Sequence, residues 1–232
     1  MLTKRFLDSQ ELKIDVGEIA CWASAERCNV GRSILLRARI GQKCDILGTM
    51  KKSINNFEPL IGLRSGGQPE TNRRKIFEDR IDLAVTLRDV IYRFFMSNSK
   101  AQDDDLHRTF AVMGLTKTHF PNVSLPQGWI HQIFAMDCKA TDVLRFGRLQ
   151  ESKLPNTVAT LPCLEVFFVG MSDLKATIKV LRGHVNGIAL AHSRAHRKRK
   201  KILSEKLTTQ GGCFGAVPET PAKKARQKDP GE

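Results

Sequence analysis

The sequence predicts an α+β fold in a single domain, followed by a basic and largely disordered tail. Three observations support this prediction: two apolar runs meet at Gly41-Gln42, as in a β-hairpin; apolar residues recur at helical spacing between Phe77 and Phe95; and short apolar runs separated by Pro, Asn and Gly follow from residue 129. The 232 residues, of which 41% are hydrophobic, are enough to bury a core. We divide the chain into a β-containing segment 1–70, an α+β core 71–191 and a basic tail 192–232.

The first predicted element is a β-hairpin near the N-terminus. Residues 33–40 begin apolar and end in alternation, and residues 43–47 form a second run, so the glycine of Gly41-Gln42 indicates a type II′ turn. The stretch up to Pro69 is rich in turn-forming residues, which predicts a loop. This loop carries a short apolar patch, formed by Leu60, Ile61 and Leu63.

A long amphipathic helix is predicted next, with Thr71 as its N-cap. Residues spaced by three and four should form its core face: Phe77, Ile81, Ala84, Leu87, Ile91, Phe94 and Phe95. The first turn carries three cations, Arg73, Arg74 and Lys75, which oppose the helix dipole. We interpret this face first as a solvated one with some i,i+4 pairing, and nucleic-acid contact by these three cations is the alternative.

The rest of the core is predicted to contain strands and a second helix. Strands are expected at Trp129–Met136, Asp142–Leu149 and Cys163–Val169, because short apolar or alternating runs occur there between turn residues. The second amphipathic helix should begin at Ser172-Asp173, a serine N-cap followed by an acid. Its helical character should fade over residues 192–201, and the last 25 or so residues should be disordered because they contain few apolar groups.

No catalytic or metal-binding motif is present in the sequence, so we expect neither an enzyme nor a cofactor. The six cysteines are scattered without a CxxC pair, which favours free thiols in a reducing compartment. His192 and His196 lie i,i+4, but no cysteine nearby could complete a zinc site, and solvated histidines are the simpler interpretation. Asp103-Asp104-Asp105 is expected to be a polar connection. No apolar stretch is long enough to predict membrane insertion.

The charge distribution carries the functional prediction. The formal net charge is +14, and residues 192–232 hold eleven basic residues against four acidic ones. Such a charge points to a polyanionic partner, RNA first, in double- or single-stranded form. The predicted nucleic-acid-binding residues are Arg194, Arg197, Lys198, Arg199, Lys200 and Lys201, with Arg73, Arg74 and Lys75. Because aromatic residues are few and sit mostly on apolar stripes, we expect contacts with the backbone and little sequence preference.

The same basic clusters fit the short Lys/Arg pattern that nuclear import receptors bind as an extended peptide. The predicted import residues are Arg197, Lys198, Arg199, Lys200 and Lys201, followed by Lys223, Lys224 and Arg226. Proline at positions 218 and 221 should keep the second cluster extended. We therefore expect a protein of the nucleus and cytoplasm, with an import receptor among its partners.

The segment Ser172-Asp173-Leu174-Lys175-Ala176-Thr177-Ile178-Lys179-Val180-Leu181 resembles a helix in the effector domain of the influenza-type orthomyxovirus nonstructural protein, and the basic tail resembles its second nuclear signal. The resemblance covers about a fifth of the chain. It implies a viral regulatory protein that binds double-stranded RNA, contacts host signalling factors and antagonises the interferon response. That family's N-terminal RNA-binding module is all-helical, whereas residues 1–50 here are predicted to be partly β, so its RNA-binding residues are not carried over.

The sequence therefore favours a nuclear RNA-binding regulatory protein, acting by sequestering RNA or occupying host factors. The alternative is a structural or interaction protein of the matrix or movement type, which would use its positive charge on nucleoprotein or on a membrane surface. Net charge alone does not separate these two hypotheses.

Overall fold

A six-stranded sheet organises the chain. The structure is a computed structural model, and it describes residues 2–33, 35–53, 56–65, 73–99, 111–120, 128–140 and 143–210. The strands are β1 (Leu12–Ala20), β2 (Lys43–Met50), β3 (Leu60–Ser65), β4 (Ala111–Phe120), β5 (Gly128–Ala140) and β6 (Val143–Leu154). The helices are α1 (Leu2–Leu7), α2 (Trp22–Asn29), α3 (Arg73–Ser97) and α4 (Cys163–Gln210), with a short 3-10 helix at Val158–Thr160.

Strand order in the sheet follows the order along the chain, β1-β2-β3-β4-β5-β6. Neighbouring strands are antiparallel, except that β3 and β4 are parallel and are connected through α3. A parallel pair requires such a crossover, because the chain must return to the same end of the sheet. β1 to β3 come from segment 1–70 and β4 to β6 from the core 71–191, so the two predicted segments share one sheet.

The two faces of the sheet belong to two buried clusters, because successive side chains of a strand point to opposite faces. On β3, Leu60 belongs to one cluster, and Ile61 and Leu63 belong to the other. The first cluster unites Leu7, Leu12, Ile14, Leu60 and Ile133 with Phe167, Met171, Leu174 and Ile178 of α4. The second contains the buried face of α3 together with Leu181, Val185 and Ile188 of α4. Both predicted amphipathic helices thus contribute to the core.

The α+β class and a β-hairpin near the N-terminus are confirmed, but the hairpin does not lie where the sequence placed it. It is formed by β2 and β3, and β2 also pairs with β1. Residue 33 and residues 35–40, which the structure describes, form no strand. Leu35, Leu36 and Ile40 are all exposed, so the apolar alternation of this stretch does not face the core.

The segment before β2 is held against α2 instead of forming a strand. Asn29 donates to the carbonyl of Arg39 and accepts from its backbone N–H at 2.7 Å. Gly41 lies so close to α2 that a Cβ added there would come within 2.4 Å of the Ala25 nitrogen and the Cys21 oxygen. Gly41 is therefore needed for close packing, and the type II′ turn prediction is wrong.

The loop predicted up to Pro69 is also wrong, because Leu60–Ser65 forms the inner strand β3. Leu60 and Ile61 are completely buried, one on each face of the sheet. Gly62, which suggested a turn, lies opposite Ile46, where a Cβ would approach the Ile46 side chain to 2.7 Å. The glycine makes room for a neighbouring strand.

The helix predicted around residues 71–95 is present as α3, but its buried face differs from the prediction. Leu87, Ile91 and Phe94 are buried as expected, whereas Phe77 and Ile81 are 63% and 47% exposed. The core side of the helix is completed by Ile76, Leu83 and Val90. Thr71, the expected N-cap, lies outside the described residues, as do Asp103-Asp104-Asp105.

The strands predicted at Trp129–Met136 and Asp142–Leu149 correspond to β5 and β6, both longer than expected. The third predicted strand, Cys163–Val169, is wrong, because these residues form the first two turns of α4. Ser172 and Asp173 lie inside this helix, where both are exposed, so they are not its N-terminus. The helix also continues through residues 192–201 without fading.

Candidate nucleic-acid interface

The helix α4 is a single rod of 48 residues, about 72 Å long at 1.5 Å per residue. Its first half is anchored by buried side chains that alternate in steps of four and three: Phe167, Met171, Leu174, Ile178, Leu181, Val185 and Ile188. Ala189 is the last of its described side chains to be buried, and all those from His196 to Ile202 are exposed. We call residues 190–210 the arm, because this part of α4 extends beyond the buried core.

The arm carries the six basic residues that the sequence singled out, all of them exposed: Arg194, Arg197, Lys198, Arg199, Lys200 and Lys201. Positions i, i+3, i+4 and i+7 lie on one side of a helix, so four of them form a continuous ridge. The ridge consists of Arg194, Arg197, Lys198 and Lys201. The remaining two extend the positive surface around the rod.

The positive charge of α4 has little acidic compensation within the helix. No Asp or Glu occurs between Asp173 and Glu205, an interval that includes the ridge and three earlier cations, Lys175, Lys179 and Arg182. Arg182 approaches Glu11 at 3.6 Å. In the arm, only Lys201 has an acid at i+4, which is Glu205.

Like charges at i,i+4 weaken a helix, by about 0.2–0.5 kcal/mol for each pair. The arm contains two such pairs on the ridge, Arg194 with Lys198 and Arg197 with Lys201. A row of phosphates beside the ridge would screen this repulsion, so the arm gains stability on meeting a polyanion. This coupling makes the arm suited to a nucleic-acid backbone.

The predicted import cluster Arg197–Lys201 lies on the same arm and is helical, not extended. An import receptor that binds an extended peptide would therefore have to unwind this part of α4. The like-charge repulsion just described lowers the cost of doing so. The second predicted import cluster, Lys223, Lys224 and Arg226, lies outside the described residues.

The other predicted contact residues, Arg73, Arg74 and Lys75, stand in the first turn of α3, on a helix where cations are paired with acids. Arg74 donates to Glu78 at 2.7 Å. Arg93 donates to Glu26 at 2.7 Å, and the buried Asp89 accepts from both Arg27 and Arg88. These pairs neutralise much of the positive charge of α3. Neither this first turn of α3 nor the arm contributes a described side chain to the two buried clusters.

A buried group of titratable side chains, missed in the sequence, surrounds Glu58. This carboxylate is 4% exposed and accepts from the backbone N–H groups of Trp22 and Ala23, at 3.0 and 3.1 Å. The Cys21 thiol donates to it at 3.3 Å. Glu58 thus satisfies the free donors at the start of α2, which has no side-chain N-cap of its own.

Burial and then the Glu58 carboxylate raise the pKa of Cys44 to about 12, and the same two causes raise the pKa of Cys21. Both thiols are therefore protonated at neutral pH, and a thiol in this form is a poor nucleophile. The cluster stabilises the helix start and offers no reactive cysteine. Cys21, Cys28, Cys44, Cys138 and Cys163 are not joined in disulfide bonds, and Cys213 lies outside the described residues.

Within the described part of the chain, no three or more His, Cys, Asp or Glu side chains are grouped so that they could hold a metal ion. None of the helices, over the residues the structure describes, is both long and apolar enough to cross a membrane.

Comparison of the chain with protein-family models, with curated proteins and with solved structures gives no match. The exposure, spacing and charge of the arm are the structural features that bear on the function of the chain.

Proposed function

We propose that the protein binds RNA through the arm, chiefly by contacts between its basic side chains and phosphates. The observation that carries this proposal is the exposed ridge Arg194, Arg197, Lys198 and Lys201 on a helix that extends beyond the core. A rigid helix presents its cations at a fixed spacing, so less conformational entropy is lost on binding than with a disordered tail. Binding of this kind follows charge density and not base sequence.

The composition of the arm favours a duplex over a single strand. Residues 190–210 contain no Phe, Tyr or Trp, so His192 and His196 are the only side chains of the arm with an aromatic ring on which unpaired bases could stack. The major groove of A-form RNA is too narrow and deep for a helix, whereas that of B-form DNA, about 12 Å wide, admits one. On duplex RNA the arm should therefore lie along the phosphates and across the shallow groove. In this proposal the protein acts in the nucleus and sequesters RNA, which would withhold it from host sensors, as the orthomyxovirus resemblance implies.

The test is a fluorescence anisotropy titration with duplex RNA, single-stranded RNA and duplex DNA over a series of salt concentrations. If about four to six phosphates are neutralised, the log-log salt slope should lie near −3 to −5. Replacing the six cations Arg194 and Arg197 to Lys201 with alanine should reduce duplex RNA affinity by about 100-fold or more near 0.1 M salt. A chain ending at Ala191, which keeps every side chain of α4 that the structure describes as buried, should lose affinity to the same extent.

The matched control is the double variant R74A/K75A, which removes two exposed cations from α3. It should change the affinity by less than about threefold, since only exposed and partly paired charges are lost. A flat salt response, or full affinity in the six-alanine variant, would contradict the proposal. Equal binding to anionic vesicles and RNA at matched salt would instead support the matrix or movement hypothesis.

Nuclear import through the arm is a separate prediction. Replacing Arg197 to Lys201 with alanine should move the protein from nucleus to cytoplasm, because the run is the densest charge in the chain. Since a chain of 26.0 kDa can diffuse through pores, nuclear accumulation of a fluorescent fusion should be measured, not mere presence. Unchanged accumulation after Lys223, Lys224 and Arg226 are also replaced would refute this prediction.

A further inference from the structure

We propose that the outward face of α3 is a dimerisation surface for a second copy of this chain. Four large apolar side chains on this helix are exposed: Phe77 by 63%, Ile81 by 47%, Tyr92 by 50% and Met96 by 77%. They lie opposite the buried side, which is formed by residues such as Leu83 and Leu87. An exposed apolar stripe of this length on a folded chain indicates an interaction site.

The spacing of the stripe identifies the partner. Six positions follow one another at intervals of four, four, three, four and four residues: Phe77, Ile81, Val85, Arg88, Tyr92 and Met96. This order is the same in both directions about a point between Thr86 and Leu87. An antiparallel second copy would therefore place Phe77 against Met96, Ile81 against Tyr92 and Val85 against Arg88. Self-complementarity of this kind is what a two-fold interface requires.

The charges along the stripe permit this pairing. Arg88 would lie close to the two-fold axis, but its guanidinium bonds the buried carboxylate of Asp89 at 3.1 Å. At one end of the stripe, Arg74 is paired with Glu78. The exposed ring of Trp22 on α2 lies under Arg93 of α3, with 5.5 Å between the guanidinium carbon and the ring centre. Arg74, Arg88 and Arg93 are thus each bonded to a carboxylate, and Arg88 shares that of Asp89 with Arg27.

The size of the stripe predicts a weak dimer. From Phe77 to Met96 the helix spans about 29 Å, and with its side chains it is roughly 10 Å wide. Two such faces would bury on the order of 1,000 Å² in total, which is the lower end of specific interfaces. We expect a dissociation constant in the micromolar range. A dimer would carry two arms, so its affinity for a long RNA would exceed that of either arm alone.

The test introduces opposite charges at two positions that face each other in the proposed dimer. Sedimentation velocity over a range of protein concentrations then measures whether the chain dimerises. Wild-type protein should approach twice its 26.0 kDa mass at tens of micromolar, an order-of-magnitude value for an interface of this size. I81E and Y92R should each remain monomeric, because each would bury an unpaired charge against an apolar side chain. The chain carrying both substitutions should dimerise again, since each new carboxylate would face a guanidinium of the second copy.

The control is V180E, which places the same charge on an exposed residue of α4 and should leave dimerisation unchanged. Because residues 81, 92 and 180 are all exposed, circular dichroism should show intact folding in every variant. A wild-type chain that stays monomeric at every concentration, or an I81E variant that still dimerises, would overturn the proposal. Failure of the combined variant to dimerise would overturn the antiparallel pairing. RNA affinity of the monomeric variants reports separately on the arm.

Discussion

Replacing Gly41 with alanine is expected to destabilise the protein by about 3 kcal/mol or more. A Cβ at this position would lie 2.4 Å from both the Ala25 nitrogen and the Cys21 oxygen, and 2.9 Å from the Ala25 Cα. All three are backbone atoms at the start of α2, so no side-chain rotation relieves the clash. The segment before β2 would have to move away from α2, which also threatens the bond from the Gln42 N–H to the Ser24 hydroxyl. Urea denaturation followed by circular dichroism measures the loss.

A matched glycine elsewhere should respond in the opposite direction. Gly183 lies exposed inside α4, and an added Cβ there meets nothing within 4 Å. Because alanine favours a helix interior more than glycine, G183A should stabilise the fold by about 0.5–1 kcal/mol. If G41A and G183A unfolded at the same urea concentration, the close packing at Gly41 would be disproved.

Replacing Glu58 with alanine should cost about 2–4 kcal/mol, the second largest effect we expect on stability. The substitution removes the acceptor of the Trp22 and Ala23 N–H groups, and it removes a negative charge from the start of α2. The Ala23 donor is buried and would be left without its partner. Urea denaturation gives the free energy of unfolding, and hydrogen exchange should accelerate at these two amides.

The conservative variant E58Q separates the acceptor from the charge. Its amide oxygen can still accept one of the two backbone bonds, so about half of the loss should be recovered. Equal stability of wild type, E58A and E58Q would show that α2 does not depend on this residue.

The predictions of secondary structure were confirmed where the residue pattern fits only one type of element. The long helical spacing of α3 and the short apolar or alternating runs of β5 and β6 were recognisable from local sequence alone. The error within α3 has a specific cause: apolar residues occupy both of its faces. Phe77 and Ile81 have the same spacing as true core residues, and only the position of the sheet decides which face is buried.

The start of α4 shows the limit of short apolar runs. Residues 163–169 fit a buried strand or a buried helix equally well, because the run is too short for periodicity to separate them. The buried residues from Phe167 to Ile188 are spaced by four and three, which indicates a helix. This spacing can be recognised only when the run is considered together with the residues after Ser172. Gly183 and Gly187 have a low helix propensity, yet burial of Leu181, Val185 and Ile188 outweighs it.

The charge of the sequence was enough to identify the candidate site. The helical conformation of the site was not predicted. Arg194 to Lys201 form the densest basic run of the sequence, but their helical conformation depends on the anchored half of α4. Glu58 could not have been found, because its partners at Cys21, Trp22 and Ala23 lie 35 to 37 residues away, with no local motif to link them.

The placement of α4 also constrains how the chain is made. Leu7, Leu12 and Ile14 emerge from the ribosome more than 150 residues before the helix that covers them, which packs against them through Phe167, Met171 and Leu174. One face of the sheet therefore stays open to water while the intervening residues are translated, a condition in which nascent chains associate or recruit chaperones. Completion of the fold waits for the same helix that carries the arm, so a ribosome-bound chain cannot present the arm on a finished body before α4 has emerged.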